Sequence, residues 1–149
     1  VAIVALNLGL SLAIQQFGLE SASHSIVQSA QSSPEVLLVL VPLSYLVIGP
    51  GEELLYRNVV QKSLYGAFSR PGAVIVGSVV FAAVHVFAFS GPGQSALATL
   101  NTLAVVFVLS LVLGAVYEQT ENVVASALVH GTFDAIAFAA TYVQLTGGV

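Results

Sequence analysis

Three groups of polar side chains recur at helical spacing in an otherwise apolar sequence. The first is Glu52-Glu53-Leu54-Leu55-Tyr56-Arg57. Glu53 and Arg57 are four residues apart, so they share a helix face and can pair. Glu52 lies about 100° round the helix, on the face of Tyr56, and is left free for proton transfer. The second group is Phe81-Ala82-Ala83-Val84-His85, with Phe81 and His85 on one face. The third is His130-Gly131-Thr132-Phe133-Asp134, where Asp134 can fix the tautomer and charge of His130. A carboxylate and two imidazoles are the side chains of general acid–base chemistry. Each group also has a plainer reading: a salt-bridged turn at a helix start, an imidazole bonded to a nearby carbonyl, and a structural link between helices.

The elements that carry these groups follow from composition. The chain has 149 residues, enough for one domain, 1–149. Charged residues make up 7% and hydrophobic residues 57%, with a mean hydropathy of +0.98. So few charges cannot cover the surface of a soluble domain, and disorder needs the opposite balance. Three Lys/Arg against seven Asp/Glu exclude the basic face of a nucleic-acid binder. The absence of cysteine excludes disulfides, thiolate metal sites and a cysteine nucleophile. An integral, multi-pass membrane protein remains.

From Pro71 to Tyr117 there is no Asp, Glu, Lys or Arg, a stretch long enough for two spans of about 20 residues. Ser90-Gly91-Pro92-Gly93 is the turn between them, which sets spans at 72–89 and 95–117. A further span runs over 123–145. Residues 1–19 are apolar and uncharged and read as another span, followed by a Ser- and Gln-rich polar loop over 20–35. The start at Val1, with no basic n-region or cleavage site, reads as a cropped chain lacking earlier spans rather than as a signal peptide. The segment 36–69 reads as one span kinked at Gly49-Pro50-Gly51. The fold class is therefore an all-α polytopic transmembrane helix bundle of about five hydrophobic segments. Lys62 and Arg70 flank the Gly66–Pro71 turn and put it on the cytoplasmic side.

Within these spans the polar groups take on weight, because an ionisable residue in a membrane is costly. A buried histidine has no free helix carbonyl to bond at that depth, which favours function for His85. Counted from the helix ends, His85 lies roughly 21 Å deep, His130 roughly 12 Å and Glu52 at most roughly 28 Å. All fall inside the roughly 30 Å hydrocarbon core and can meet in one cavity.

Glu-Glu-x-x-x-Arg, then Phe-x-x-x-His, then His-x-x-x-Asn/Asp, in order on successive helices, resemble the CAAX protease and bacteriocin-processing family. That family includes the type II CAAX prenyl endopeptidases and the Abi proteins. The resemblance covers about residues 36 to 140 and makes 1–149 a single transmembrane peptidase domain of that kind. It implies an intramembrane endopeptidase of the glutamate type, acting on a membrane-associated or prenylated CAAX-type peptide or protein in the bilayer, in a prokaryotic cell membrane. By the same resemblance Glu52 and His85 activate a water, and His130 and Asp134 stabilise the oxyanion. Glu53, Arg57, Phe81 and Tyr56 support them, and no cofactor is needed. The chain departs from the pattern at Asp134, where many members carry Asn. An ionised Asp only accepts hydrogen bonds, so here Asp134 is expected to orient His130 while His130 donates.

Other readings stand beside this one. Two histidines and a glutamate can hold zinc, although His-Glu-x-x-His is absent. Ser78, Ser110 and Ser126 lie in spans without a linked base, and helix serines bond backbone carbonyls. A proton-coupled transporter or a non-catalytic immunity or binding protein uses the same polar cavity, although no inverted repeat is visible.

Overall fold

The computed structural model describes residues 2–147. Among these residues the regular elements are all helical. Helix α1 is Ala2–Gln16 and α2 is Ser25–Ala30. The long helical segment α3 runs over Glu35–Gly66, α4 over Arg70–Phe89, α5 over Ala96–Thr120 and α6 over Val123–Leu145. The last four are long and apolar enough to cross a membrane, and the protein is an integral membrane protein built as a helical bundle.

Two expectations shift here. Among the described residues the apolar stretch at the start forms a 15-residue helix that ends at Gln16, about 22 Å long. Gln15-Gln16 end its apolar run, and Gly18 closes it with φ +66, a left-handed stop that glycine adopts freely. Val1 lies outside the described residues. The polar loop after it is not featureless, since its centre forms α2, whose start is capped by His24.

The other boundaries follow from local chemistry. Ser69 Oγ accepts from the Gly72 amide at 3.3 Å, Ser95 Oγ from Ala98 at 3.1 Å and Asn122 Oδ1 from Val124 at 2.9 Å. Each satisfies one of the amides that a helix start leaves unpaired. Helix α5 ends at Glu121, held at φ 48, and the chain re-enters α6 almost at once. Gly93, at φ +82, makes the turn between α4 and α5 possible.

Helix α3 does not break at Gly49-Pro50-Gly51. The chain stays helical, but the winding changes: π over Ser44–Ile48, α over Gly49–Glu53 and π again over Leu54–Gln61. Pro50 has no N–H to give and its ring displaces the preceding turn. The distortion thus takes the form of π turns, which recur at functional sites.

The bundle keeps a chain of charged and polar side chains in its interior beside apolar ones and turns large apolar side chains outward. Glu53, Arg57 and Gln61 are fully buried, while Leu46 and Phe87 are 74% and 83% exposed. In lipid this is the cheaper arrangement, because outward Leu and Phe meet acyl chains and inward charges meet one another. Helix α4 packs along α5, and the first half of α3 along α6. The α3–α6 contact is backbone to backbone. A methyl group at Gly131 would lie 2.6 Å from the Ser44 carbonyl oxygen, and one at Gly49 would lie 2.8 Å from that of Ala127. Only glycine permits that approach.

Candidate active site

The two neighbouring glutamates of α3 face different ways, as their 100° offset requires. Glu53 Oε2 accepts from Arg57 Nε at 3.0 Å, and both side chains are fully buried. Its other oxygen, Oε1, lies 3.1 Å from His130 Nδ1 on α6. Arg57 extends the chain of bonds by donating from Nη2 to Ser110 Oγ on α5 at 2.8 Å. The expected Glu53–Arg57 pair is present, and it does more than neutralise itself, because the same carboxylate fixes an imidazole 77 residues away in sequence.

Glu52 turns towards the cavity. Its Oε2 lies 3.8 Å from His85 Nε2 and 3.9 Å from His130 Nε2. That oxygen is buried and has no hydrogen-bond partner among the described residues. Three spans thus deliver one carboxylate and two imidazoles to one place.

His85 overturns the argument that helix carbonyls are used up. Helix α4 is interrupted at this residue: the His85 amide bonds Ala82 O at 3.1 Å instead of Phe81 O. The freed Phe81 carbonyl accepts from His85 Nδ1 at 2.7 Å. The plain reading is therefore true of Nδ1, while Nε2 is left facing Glu52 at 3.8 Å. A carbonyl oxygen only accepts, so Nδ1 carries the proton, and in the neutral ring Nε2 presents its lone pair to Glu52.

Asp134 stands 3.5 Å from His130 Nε2, on the cavity side. The ring's orienting hydrogen bond comes from Glu53 at Nδ1, not from Asp134, which corrects the role expected for it. Phe81 forms the wall behind both imidazoles, with ring centroids 4.3 Å from His85 and 6.0 Å from His130. Its far side meets Arg57, whose guanidinium carbon lies 5.5 Å from the Phe81 centroid. Tyr56 packs edge-on against Phe81 at 4.8 Å.

Glu52, Phe81, His85, His130 and Asp134 line a cavity of about 480 Å³ whose walls are mostly apolar, Leu113, Phe133 and Phe138 among them. No three His, Asp or Glu side chains among the described residues are arranged to hold a metal ion. Of the span serines, Ser126 bonds the Val123 carbonyl, whereas Ser110 accepts from Arg57 and is part of the site's support.

His24 is the cavity residue that spacing did not reveal. It lines the cavity beside Glu52 and His85. Its Nδ1 accepts from the Ile26 amide at 3.1 Å, and its ring stands edge-on to Phe89 at 5.1 Å. Burial, and then the neighbouring His85 imidazole, hold it below the ordinary value of 6.5. It sits in a polar loop with no partner at helical spacing, so only its being a third histidine hinted at it.

A family model described as type II CAAX prenyl endopeptidase Rce1-like matches residues 34–136, a range that contains all three polar groups. No curated protein and no solved structure matches the chain.

Proposed function

The chain belongs to the Rce1-like family of type II CAAX prenyl endopeptidases, and on that premise we propose that it hydrolyses a peptide bond of a membrane-associated, prenylated CAAX-type substrate with a water activated by Glu52 and His85. The observation that carries this reading is Glu52 Oε2, buried and unpaired, at 3.8 Å and 3.9 Å from two imidazole nitrogens. Those separations are too long for direct hydrogen bonds. A water between the groups spans them.

The tautomer of His85 sets the direction of attack. A water that donates one proton to Glu52 and the other to His85 Nε2 keeps a lone pair free for the carbonyl carbon. As the new C–O bond forms, Glu52 takes the proton and negative charge moves to the carbonyl oxygen. His130 faces that charge. Glu53 accepts its Nδ1–H, and Asp134 lies 3.5 Å from Nε2, so two carboxylates favour the imidazolium, which donates from Nε2 to the oxyanion. Glu52 then passes its proton to the leaving amine as the C–N bond breaks. The apolar walls of the cavity suit a lipid-modified peptide, and its place among membrane helices suits a substrate already in the bilayer.

The test is cleavage of a prenylated CAAX peptide by the purified chain in liposomes, beside Glu52→Gln and with a strong chelator. Glu52→Gln is expected to lose at least about a hundredfold in rate, the usual worth of a general base. The chelator is expected to leave the wild type unchanged. An undiminished rate in Glu52→Gln rejects the glutamate mechanism, and loss with chelator that Zn²⁺ restores reassigns the site to a zinc peptidase.

A further inference from the structure

Four buried side-chain atoms have no hydrogen-bond partner among the described residues: Glu52 Oε2, Arg57 Nη1, Gln61 Oε1 and Ser78 Oγ. The first belongs to the reaction. Of the other three, Arg57 Nη1 and Gln61 Oε1 lie together beside Gly114, and Ser78 stands on the face of α4 turned towards them. A methyl group at Gly114 would lie 2.8 Å from Val74 Cγ1, 3.1 Å from Gln61 Oε1 and 3.3 Å from Arg57 Nη1, so the two unpartnered atoms lie near one another against this glycine on α5. Ser78 shares a face of α4 with Val74 and Phe81. Val74 also abuts the Gly114 position, and Phe81 lies against the Arg57 guanidinium. Arg57, Gln61 and Ser78 are all fully buried.

The orientation of the Gln61 amide is set from its far side. Glu118 Oε1 accepts from Gln61 Nε2 at 2.8 Å, so the amide oxygen must point back towards Arg57. Glu118 itself is held by the Tyr65 hydroxyl and by Arg70, whose Nη1 lies 3.4 Å from its Oε2. An arginine N–H and an amide oxygen side by side offer a donor and an acceptor, and a hydroxyl on the neighbouring face of α4 serves as either. A buried water needs two to four such partners, and a buried donor left unmet is costly.

We propose that Gln61 and Glu118 are positioning residues of the active site, acting on His130 through a buried water beside Gly114 that joins Gln61 Oε1, Ser78 Oγ and Arg57 Nη1. The relay runs from Arg70 and Tyr65 at the end of the bundle through Glu118, Gln61, the water, Arg57 and Glu53 to His130 Nδ1. Its bearing on catalysis rests on the function proposed above. Its existence does not, because the state of the His130 ring can be read without substrate.

The experiment uses the full chain in nanodiscs with ¹⁵N-labelled histidine, observing His130 beside peptide cleavage. Gln61→Leu is expected to shift the His130 nitrogen resonances and lower kcat by up to about a hundredfold, with KM unchanged. Glu118→Leu should do the same, and Glu118→Gln, which keeps an acceptor for Gln61, should restore most of both. Ser78→Ala removes one oxygen and little volume, and it asks the same question if Gln61→Leu does not fold. It should shift His130 in the same direction by less. Unchanged His130 resonances in folded Gln61→Leu or Ser78→Ala overturn the relay. So does a structure fine enough to show water in which Arg57 Nη1 and Gln61 Oε1 share none. A wild type that cleaves no peptide but whose His130 responds to these variants leaves the relay standing and removes the proposed reaction.

Discussion

Gly131→Ala tests whether the close α3–α6 contact sets the geometry of the site. The added methyl carbon would meet Ser44 O at 2.6 Å, Ser44 C at 3.1 Å and Tyr45 Cα at 3.2 Å, where ordinary contact begins at 3.4 Å. All three neighbours are backbone, so no side chain can swing away. Helix α6 must retreat by about 0.8 Å, and overpacking of this kind costs about 1–3 kcal/mol. His130 is the adjacent residue, and it moves with the helix. A retreat of that size carries its Nδ1 from 3.1 Å to about 3.9 Å from Glu53 Oε1, beyond hydrogen-bond range. Its Nε2, already 3.9 Å from Glu52, recedes as well. The expected result is a folded protein whose kcat falls by about a hundredfold, the cost of a misplacement near 1 Å. The assay is steady-state peptide cleavage with thermal unfolding of the same sample. Full activity with unchanged melting would refute the claim that this contact sets the site.

Glu53→Gln leaves Arg57 as a buried unpaired charge and should cost about 3–5 kcal/mol, read by thermal unfolding in detergent. The double variant Glu53→Gln/Arg57→Met should recover much of that stability but not cleavage, since His130 still lacks its carboxylate; recovered cleavage would contradict the role of Glu53. Asp134→Asn should keep most turnover while Asp134→Ala loses it, because Glu53 already orients His130 and an amide can donate to the oxyanion. Equal loss in both would return the orienting role to Asp134. His24 is held below 6.5, so the unfolded segment takes up its proton first, and the contribution of His24 to stability is present above pH 6.5 and lost as pH falls through its lowered value. Once protonated, its Nδ1 can no longer accept from Ile26. Protection factors of the α2 amides, corrected for slower intrinsic exchange at lower pH, should therefore fall on acidification from pH 7.5 to about 5.5, and His24→Asn, which keeps a capping oxygen, should abolish that dependence.

Sequence spacing made legible whatever the helical period fixes. The Glu53–Arg57 pairing, the separate direction of Glu52 and the shared face of His130 and Asp134 all come from spacing on one helix. The long spans followed from hydropathy and from the turn at Ser90–Gly93. Contacts between helices were not legible, because rotation and crossing are set by packing. Spacing therefore gave His130 to Asp134, its neighbour, while the structure gives its Nδ1 to Glu53 on another helix. The Phe81 carbonyl became available through a local break that no residue type announces. Gln61, Ser110 and Glu118 resemble ordinary helix polar residues until α3 and α5 are placed side by side.

The π turns on either side of Glu52 carry a consequence for how relatives of this chain diverge. A π turn accommodates one residue more than α winding over the same length. Rewinding Ser44–Ile48 from π to α with every residue kept would turn the part of α3 that carries Glu52 and Glu53 by about 100° relative to the part before Ser44. Every letter of the three polar groups would survive, and a family comparison would still match, yet Glu52 would face lipid and Glu53 would leave His130. Lineages can exchange their outward leucines and valines at little cost. A change within Ser44–Ile48 that restored regular winding without removing a residue would instead leave an intact signature on an inert protein.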